Sequence, residues 1–204
     1  MIGIIDYGMG NLASVRNALD SIGTQCKIIS SPSELNEVDK AILPGVGAFG
    51  DAMVALEAKG LNDAIIRFAQ TDKKPFLGIC LGMQLLYDES TEFGMSKGLG
   101  LISGKVKPLA EHTKGLSIPN IGWCQTDGHG KSDLTCGLES QDLCFYYVHS
   151  YFCRATNRDI VTGTLSYGTE CDAIIESDNI FACQFHPEKS QASGIKILQN
   201  FSEL

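Results

Sequence analysis

Pro75-Phe76-Leu77-Gly78-Ile79-Cys80-Leu81-Gly82 is an apolar run that passes without a linker into a cysteine flanked, two residues away on each side, by glycine. This pattern reads as a buried strand ending in a nucleophile elbow. In the Gly-x-Ser-x-Gly version the turn from strand to helix is so tight that the nucleophile takes a strained backbone conformation, and only glycines fit beside it. Here the nucleophile is a thiol. The pattern predicts a helix from Leu81 to about Tyr87, whose N-terminal amides and dipole favour a thiolate at Cys80. The competing reading is a buried, inert cysteine at a strand end, since free cysteines are among the most buried residue types.

Upstream, short apolar runs alternate with helical patterns: Ile2–Ile5, a helix over 11–21, Cys26–Ile29, Lys40–Leu43, a helix over 51–70, then Phe76–Ile79. Such alternation implies parallel strands joined by crossover helices. The strands are continuously apolar, as expected when helices cover both faces of the sheet. After about Gly98 the texture changes to strand-like pieces separated by Gly, Pro and Asn turns, around Val106 and over 121–123, 143–149, 160–165, 171–176 and 180–185. This half is expected to extend the sheet in antiparallel fashion, with a closing helix over 194–201 packing back on it through Ile195, Leu198 and Phe201. No repeat, low-complexity tract or linker interrupts the 204 residues, so one α/β domain over 1–204 is expected.

The sixteen Lys and Arg residues are scattered in a chain of net charge −8, which lacks the electrostatic footprint of a nucleic-acid binder. No stretch has the roughly 18 apolar residues of a membrane span, and the N-terminus lacks the basic flank and cleavage site of a signal peptide. A soluble cytoplasmic protein without membrane or nucleic-acid partners is therefore expected. The eight cysteines form no Cys-x-x-Cys pair, which leaves reduced thiols as the default and gives Cys26, Cys136, Cys144, Cys153, Cys171 and Cys183 packing roles. No histidine pair has metal-ligand spacing, and no cofactor is implied.

A cysteine nucleophile needs a base that takes its proton and returns it to the leaving group. Gln184-Phe185-His186-Pro187-Glu188-Lys189-Ser190 follows an apolar strand and supplies one. In an extended segment His186 and Glu188 point to one face, so the carboxylate can hold the imidazole. Proline between them fixes the local backbone. His112 and His129 sit in polar, loop-like stretches, whereas His149 suits either a core or a site. Gly45-Val46-Gly47-Ala48-Phe49-Gly50 and Gly8-Met9-Gly10-Asn11-Leu12-Ala13 match dinucleotide fingerprints in letters only. The acid that would hold a ribose is absent after one and falls inside a helical pattern, at Asp63, after the other. The alternative use of Pro44-Gly45-Val46-Gly47 is as an oxyanion hole, in which glycines let backbone N–H groups approach a developing negative oxygen; a plain glycine-rich turn competes with it.

Taken together, these residues resemble the class I (triad) glutamine amidotransferases and, among them, the glutaminase subunits of imidazole glycerol phosphate synthase. The likeness is carried by Asp6-Tyr7-Gly8-Met9-Gly10-Asn11, by Pro44 through Gly50, by Cys80-Leu81-Gly82-Met83-Gln84, by Ile121-Gly122-Trp123, by Tyr146 to Tyr151 and by His186-Pro187-Glu188-Lys189-Ser190. The resemblance implies a flavodoxin-like open mixed sheet, parallel in the N-terminal half and extended by antiparallel strands in the C-terminal half, with helices on both faces. It implies a triad of Cys80, His186 and Glu188 that releases ammonia from L-glutamine. Gly47, Gln84, Ser150 and Tyr151 would hold the substrate, and Gly45, Val46, Gly47 and Leu81 would provide the oxyanion groups. Asn11, Tyr146 and Lys189 would meet a (β/α)8-barrel cyclase subunit that receives the ammonia in a heterodimer. Low activity is implied for the isolated chain, because the partner's bound nucleotide favours the oxyanion-competent state. Asn120 and Cys124 depart from the histidine and asparagine usual around the Gly-Trp motif. The motifs leave two alternatives open: a paralogous glutaminase feeding a surface-sugar amidation partner, and a catalytically silent scaffold subunit.

Overall fold

A computed structural model describes residues 1–204. The apolar runs of the first half form β1 (Ile2–Ile5), β2 (Cys26–Ile29), β3 (Lys40–Leu43) and β4 (Phe76–Ile79). Between them lie α1 (Leu12–Ser21), α2 (Pro32–Asn36), α3 (Phe49–Ala58) and α4 (Leu61–Ile66), the last continued by a π turn over Arg67–Thr71. One helix was expected over 51–70. Gly60, left-handed at φ 66°, instead breaks the pattern and lets α4 restart at a new angle. The short α2 has a sequence signature in its N-cap Ser31, which accepts from the Glu34 amide, followed by Pro32 at the first helical position.

Beyond β4 the elbow helix α5 (Leu81–Leu85) is a little over one turn long, shorter than expected, because Tyr87 already belongs to β5 (Tyr87–Ser90). There follow β6 (Ser96–Lys97), β7 (Ile102–Pro108), β8 (Asn120–Gln125), β9 (Asp127–Gly128), β10 (Cys144–His149), β11 (Tyr151–Ala155), β12 (Val161–Ser166), β13 (Glu170–Ser177), β14 (Ile180–Cys183) and α6 (Gln191–Glu203).

The main sheet runs in the order β2-β1-β3-β4-β14-β13-β11-β7-β5-β6, with β12 attached at β13 and β9 paired to β12. From β2 to β14 the neighbours are parallel; β14-β13, β13-β11 and β11-β7 are antiparallel. The mixed sheet is thus as expected, with three differences, the first being that β5 pairs with β7 in parallel. The late strand β14 does not join the antiparallel extension but lies parallel to β4, with Cys183 opposite Ile79. And β8 and β10 form a separate antiparallel ladder, with His149 opposite Asn120.

Alternate residues of the parallel strands feed two apolar layers. Ile5, Ala41, Leu43 and Phe76 pack under α2, α3 and α4, while Ile2, Ile4, Ile42, Leu77 and Ile79 pack under α1 and α6. Both faces being covered explains why the strands read as unbroken hydrophobic runs. The α6 stripe Ile197, Leu198 and Phe201 is fully buried, and Phe181 meets Phe201 edge to face.

Candidate active site

The elbow has the geometry that its glycines predict. Cys80 sits at φ 54°, ψ −110°, a region that an L-residue occupies only when its surroundings impose it. Its N–H donates to the Cys183 carbonyl at 2.8 Å, which locks the turn to β14. A Cβ at Gly78 would lie 2.8 Å from the Gly82 carbonyl oxygen, and one at Gly82 would fall inside the Leu43 carbonyl. Neither position admits a side chain.

Because β14 lies beside β4, the residues that follow both strands emerge at the same sheet edge. His186 Nδ1 and Glu188 Oε1 are 2.8 Å apart, and both side chains are at most 3% exposed. His186 Nε2 closes no hydrogen bond of good geometry; its neighbour is the Cys80 thiol, and both residues line one cleft. Burial alone would depress the His186 pKa. Hydrogen bonding to Cys80 and Glu188, together with their negative charge, outweighs it and raises the value to about 10. The protonated imidazolium of His186 is therefore favoured. Among the buried thiols away from the cleft, burial pushes Cys171 up to about 12 and holds Cys153 and Cys183 well above the ordinary thiol range. These three pack as expected, whereas Cys136 is exposed and Cys26 and Cys144 are half-buried.

The cleft, about 270 Å³, is lined by Val46, Gly47, Leu81, Gln84, Glu92, Ser150 and Tyr151 besides Cys80 and His186. It therefore unites Cys80 and His186 with all four substrate-binding candidates and with three of the four oxyanion candidates, while Glu188 is buried behind His186. Gly45 lies behind it, packed so closely that a Cβ there would strike the Tyr7 hydroxyl and approach Leu81. The amides of Gly45, Val46, Gly47 and Ser150 donate to no acceptor in the protein. Gly47, at φ 101°, requires glycine. Gln84 Nε2 donates to the Tyr151 carbonyl and to Gln184 Oε1, each at 3.1 Å, and Gln184 Nε2 reaches the Cys80 sulfur at 3.7 Å.

Two residues of this site escape a reading of the chain alone. Glu92 accepts from the Phe49 amide at 2.7 Å and turns its carboxylate to the cleft, but in the run Asp88-Glu89-Ser90-Thr91-Glu92 it looks like part of a solvated face. Gln184 had a usable signal, since it precedes His186 by two residues and shares its strand face. Away from the cleft, Lys189 Nζ lies 5.9 Å from the Tyr146 ring centre, and that ring meets Trp123 edge to face. Asn11, exposed at the start of α1, caps the helix through the Ser14 amide, and α1 contacts the turn that bears Lys189. His112 and His129 are exposed, as expected.

A family model for class-I glutamine amidotransferases matches residues 3–203. The chain belongs to the class-I glutamine amidotransferases. Members of the family similar to it over its whole length include imidazole glycerol phosphate synthase subunit HisH of Wolinella succinogenes, 47% identical over 100% of both chains. The same subunit of Methanothermobacter thermautotrophicus is 47% identical over 100% of this chain and 98% of the relative. Among solved structures, PurLQS from Thermotoga maritima superposes with a TM-score of 0.77 at 19% identity, covering 98% of this chain and 96% of that one, a likeness of fold.

Proposed function

We propose that this chain is the glutaminase subunit of an imidazole glycerol phosphate synthase, which hydrolyses glutamine and passes the ammonia to a (β/α)8-barrel cyclase subunit in histidine biosynthesis. The observation that carries the chemistry is that Cys80 and His186 line one cleft at the β4-β14 edge, with Glu188 buried against the far nitrogen of His186; 47% identity across both full lengths with a HisH subunit carries the choice of acceptor.

In this reading the Cys80 thiolate attacks the side-chain amide carbon of glutamine, and the negative charge moves onto the carbonyl oxygen, which the amides of the 45–47 segment and Leu81 receive. The His186 imidazolium, held by Glu188, protonates the leaving nitrogen; the C–N bond breaks and ammonia departs. Neutral His186 then takes a proton from water, whose oxygen attacks the glutamyl thioester, and the C–S bond breaks to return the thiolate and release glutamate. Gln84, Gly47, Ser150 and Tyr151 hold the substrate; the carboxylate of Glu92 complements its ammonium group and the free Ser150 amide its carboxylate. Residues 1–204 work as one domain, without a cofactor. No helix is long and apolar enough to cross a membrane, and a biosynthetic role of this kind belongs in the cytoplasm. Tyr146, Lys189 and Asn11 form part of the face that meets the cyclase.

The test mixes the chain with the cyclase subunit and its phosphorylated nucleotide substrate, supplies glutamine, and measures imidazole glycerol phosphate. Product is expected with glutamine, and with the Cys80→Ala chain only when ammonia is added directly. Glutamate formation by Cys80→Ala at the parent rate would refute the mechanism. An isolated chain as active as the complex would refute control by the partner.

A further inference from the structure

The two departures from the family pattern, Asn120 and Cys124, turn out to be joined to the cleft. His149, 5% exposed at the end of β10, places Nδ1 2.9 Å from the Tyr151 carbonyl, which can only accept, so Nδ1 carries the hydrogen. Its Nε2 lies 3.1 Å from Asn120 Nδ2, and Asn120, 2% exposed, is the residue opposite it in the β8-β10 ladder. Asn120 Oδ1 in turn accepts from the Cys124 thiol at 3.7 Å. Every donor points the same way: Cys124 to Asn120, Asn120 to His149, His149 to the Tyr151 carbonyl.

At that carbonyl the chain of donors meets a second one, from Gln84, which is linked through Gln184 to the Cys80 sulfur. The Tyr151 carbonyl thus accepts from two side chains, the Ser150 carbonyl just upstream accepts from the Leu109 amide, and the Ser150 amide, which belongs to the peptide joining it to His149, has no acceptor in the protein while its residue lines the cleft. We propose that Asn120, acting through His149 as the neutral Nδ1–H imidazole, is a positioning residue for glutamine. It fixes the direction of the Ser150-Tyr151 backbone and with it the amide offered to the substrate. Burial, which disfavours the imidazolium and pulls the His149 pKa down to about 4, is in keeping with a ring that stays neutral while His186, nearby in the same cleft, cycles a proton. The role differs from that of the triad: it sets how tightly glutamine is held, not how fast its amide bond breaks. This inference rests on the glutaminase reading of the cleft.

The test uses the chain assembled with its cyclase partner and bound nucleotide, with glutamine as the probe. Asn120→Leu and His149→Leu are expected to raise KM for glutamine about tenfold, the scale set by one lost buried hydrogen bond, with kcat within about threefold of the parent. His149→Asn, whose amide N–H stands near the position of Nδ1–H, is expected to keep KM within about threefold. Parent KM values in both leucine variants would overturn the proposal, as would an equal fall in kcat and kcat/KM at unchanged KM. Should the leucine variants not fold, the nitrogen-15 spectrum of the histidines in the parent complex still decides. A neutral His149 protonated on Nδ1 supports the relay, and protonation on Nε2 alone refutes it. A parent complex that releases no glutamate from glutamine fails the glutaminase reading itself, whereas an active parent with indifferent variants fails only this inference.

Discussion

The two walls of the cleft are built on opposite plans. On the wall that carries Cys80, the turn leaves no room for a methyl group at Gly78 or Gly82, the nucleophile's amide is bonded to β14, and the Tyr151 carbonyl is held from two sides. On the other wall, the amides of Gly45, Val46 and Gly47 are unbonded, Val46 is 43% exposed, and the buried Tyr7 hydroxyl beside Gly45 has no partner. Cys80 and the Ser150-Tyr151 segment are therefore held by bonds within the fold, while the proposed oxyanion donors of the 45–47 segment have amides that no protein group has claimed. A partner that governs turnover has something to act on at the second wall and little at the first.

The sharpest way to break this contrast is Gly82→Ala. Because its Cβ would collide with the Leu43 backbone, a loss of about 4 kcal/mol or more in folding stability is expected, read as the urea midpoint. A variant as stable as the parent would show that the bonded wall yields. Acid probes the same wall. His149 keeps a pKa of about 4 when folded against the ordinary 6.5, so above pH 6.5 it contributes nothing. As pH falls from 6.5 to about 4 the unfolded chain binds the proton first, and the folded state loses up to about 3 kcal/mol. His149→Asn should lack that component of the loss in urea titrations at pH 7.5, 6 and 5; parallel losses in the two proteins would assign the effect elsewhere.

On the open wall the expected damage is to rate. Gly47→Ala forces alanine to φ 101° and crowds only the flexible end of Met9, so the fold should lose about 1–2 kcal/mol. Glutaminase kcat in the complex should nonetheless fall by about 10²-fold, the scale for one displaced oxyanion donor. A variant that loses stability without losing rate would remove this segment from the chemistry. The smallest effect is expected at Tyr7→Phe. Deleting a buried hydroxyl that has no partner should raise stability by about 1 kcal/mol, and a fall of that size in thermal unfolding would mean that the hydroxyl is bonded in solution.

Legibility in the sequence follows the same physical division. Strands β1, β3 and β4 are readable to the residue because burial on both faces makes each a bounded, mostly apolar run, and the edge strand β2 is readable from Ile28-Ile29 even though Ile28 is exposed. Cys80, His186 and Glu188 are readable because few other uses exist for a thiol between two such glycines and a His-x-Glu after a strand. Missing were features set by tertiary neighbours. Nothing local tells β14 to lie parallel to β4, and the separate β8-β10 ladder depends on pairings distant in sequence. Glu92 is hidden in a charged run, and His149 was left open between core and site, the two roles that it combines.

The place of β14 has a consequence for biosynthesis of the protein itself. This strand emerges from the ribosome after the other thirteen, yet it fills an interior slot between β4 and β13. Until then β4 has an unpaired edge, and Cys80 at its end is without His186. A chain that stops short of β14 therefore holds Cys80 without the cleft that it lines together with His186.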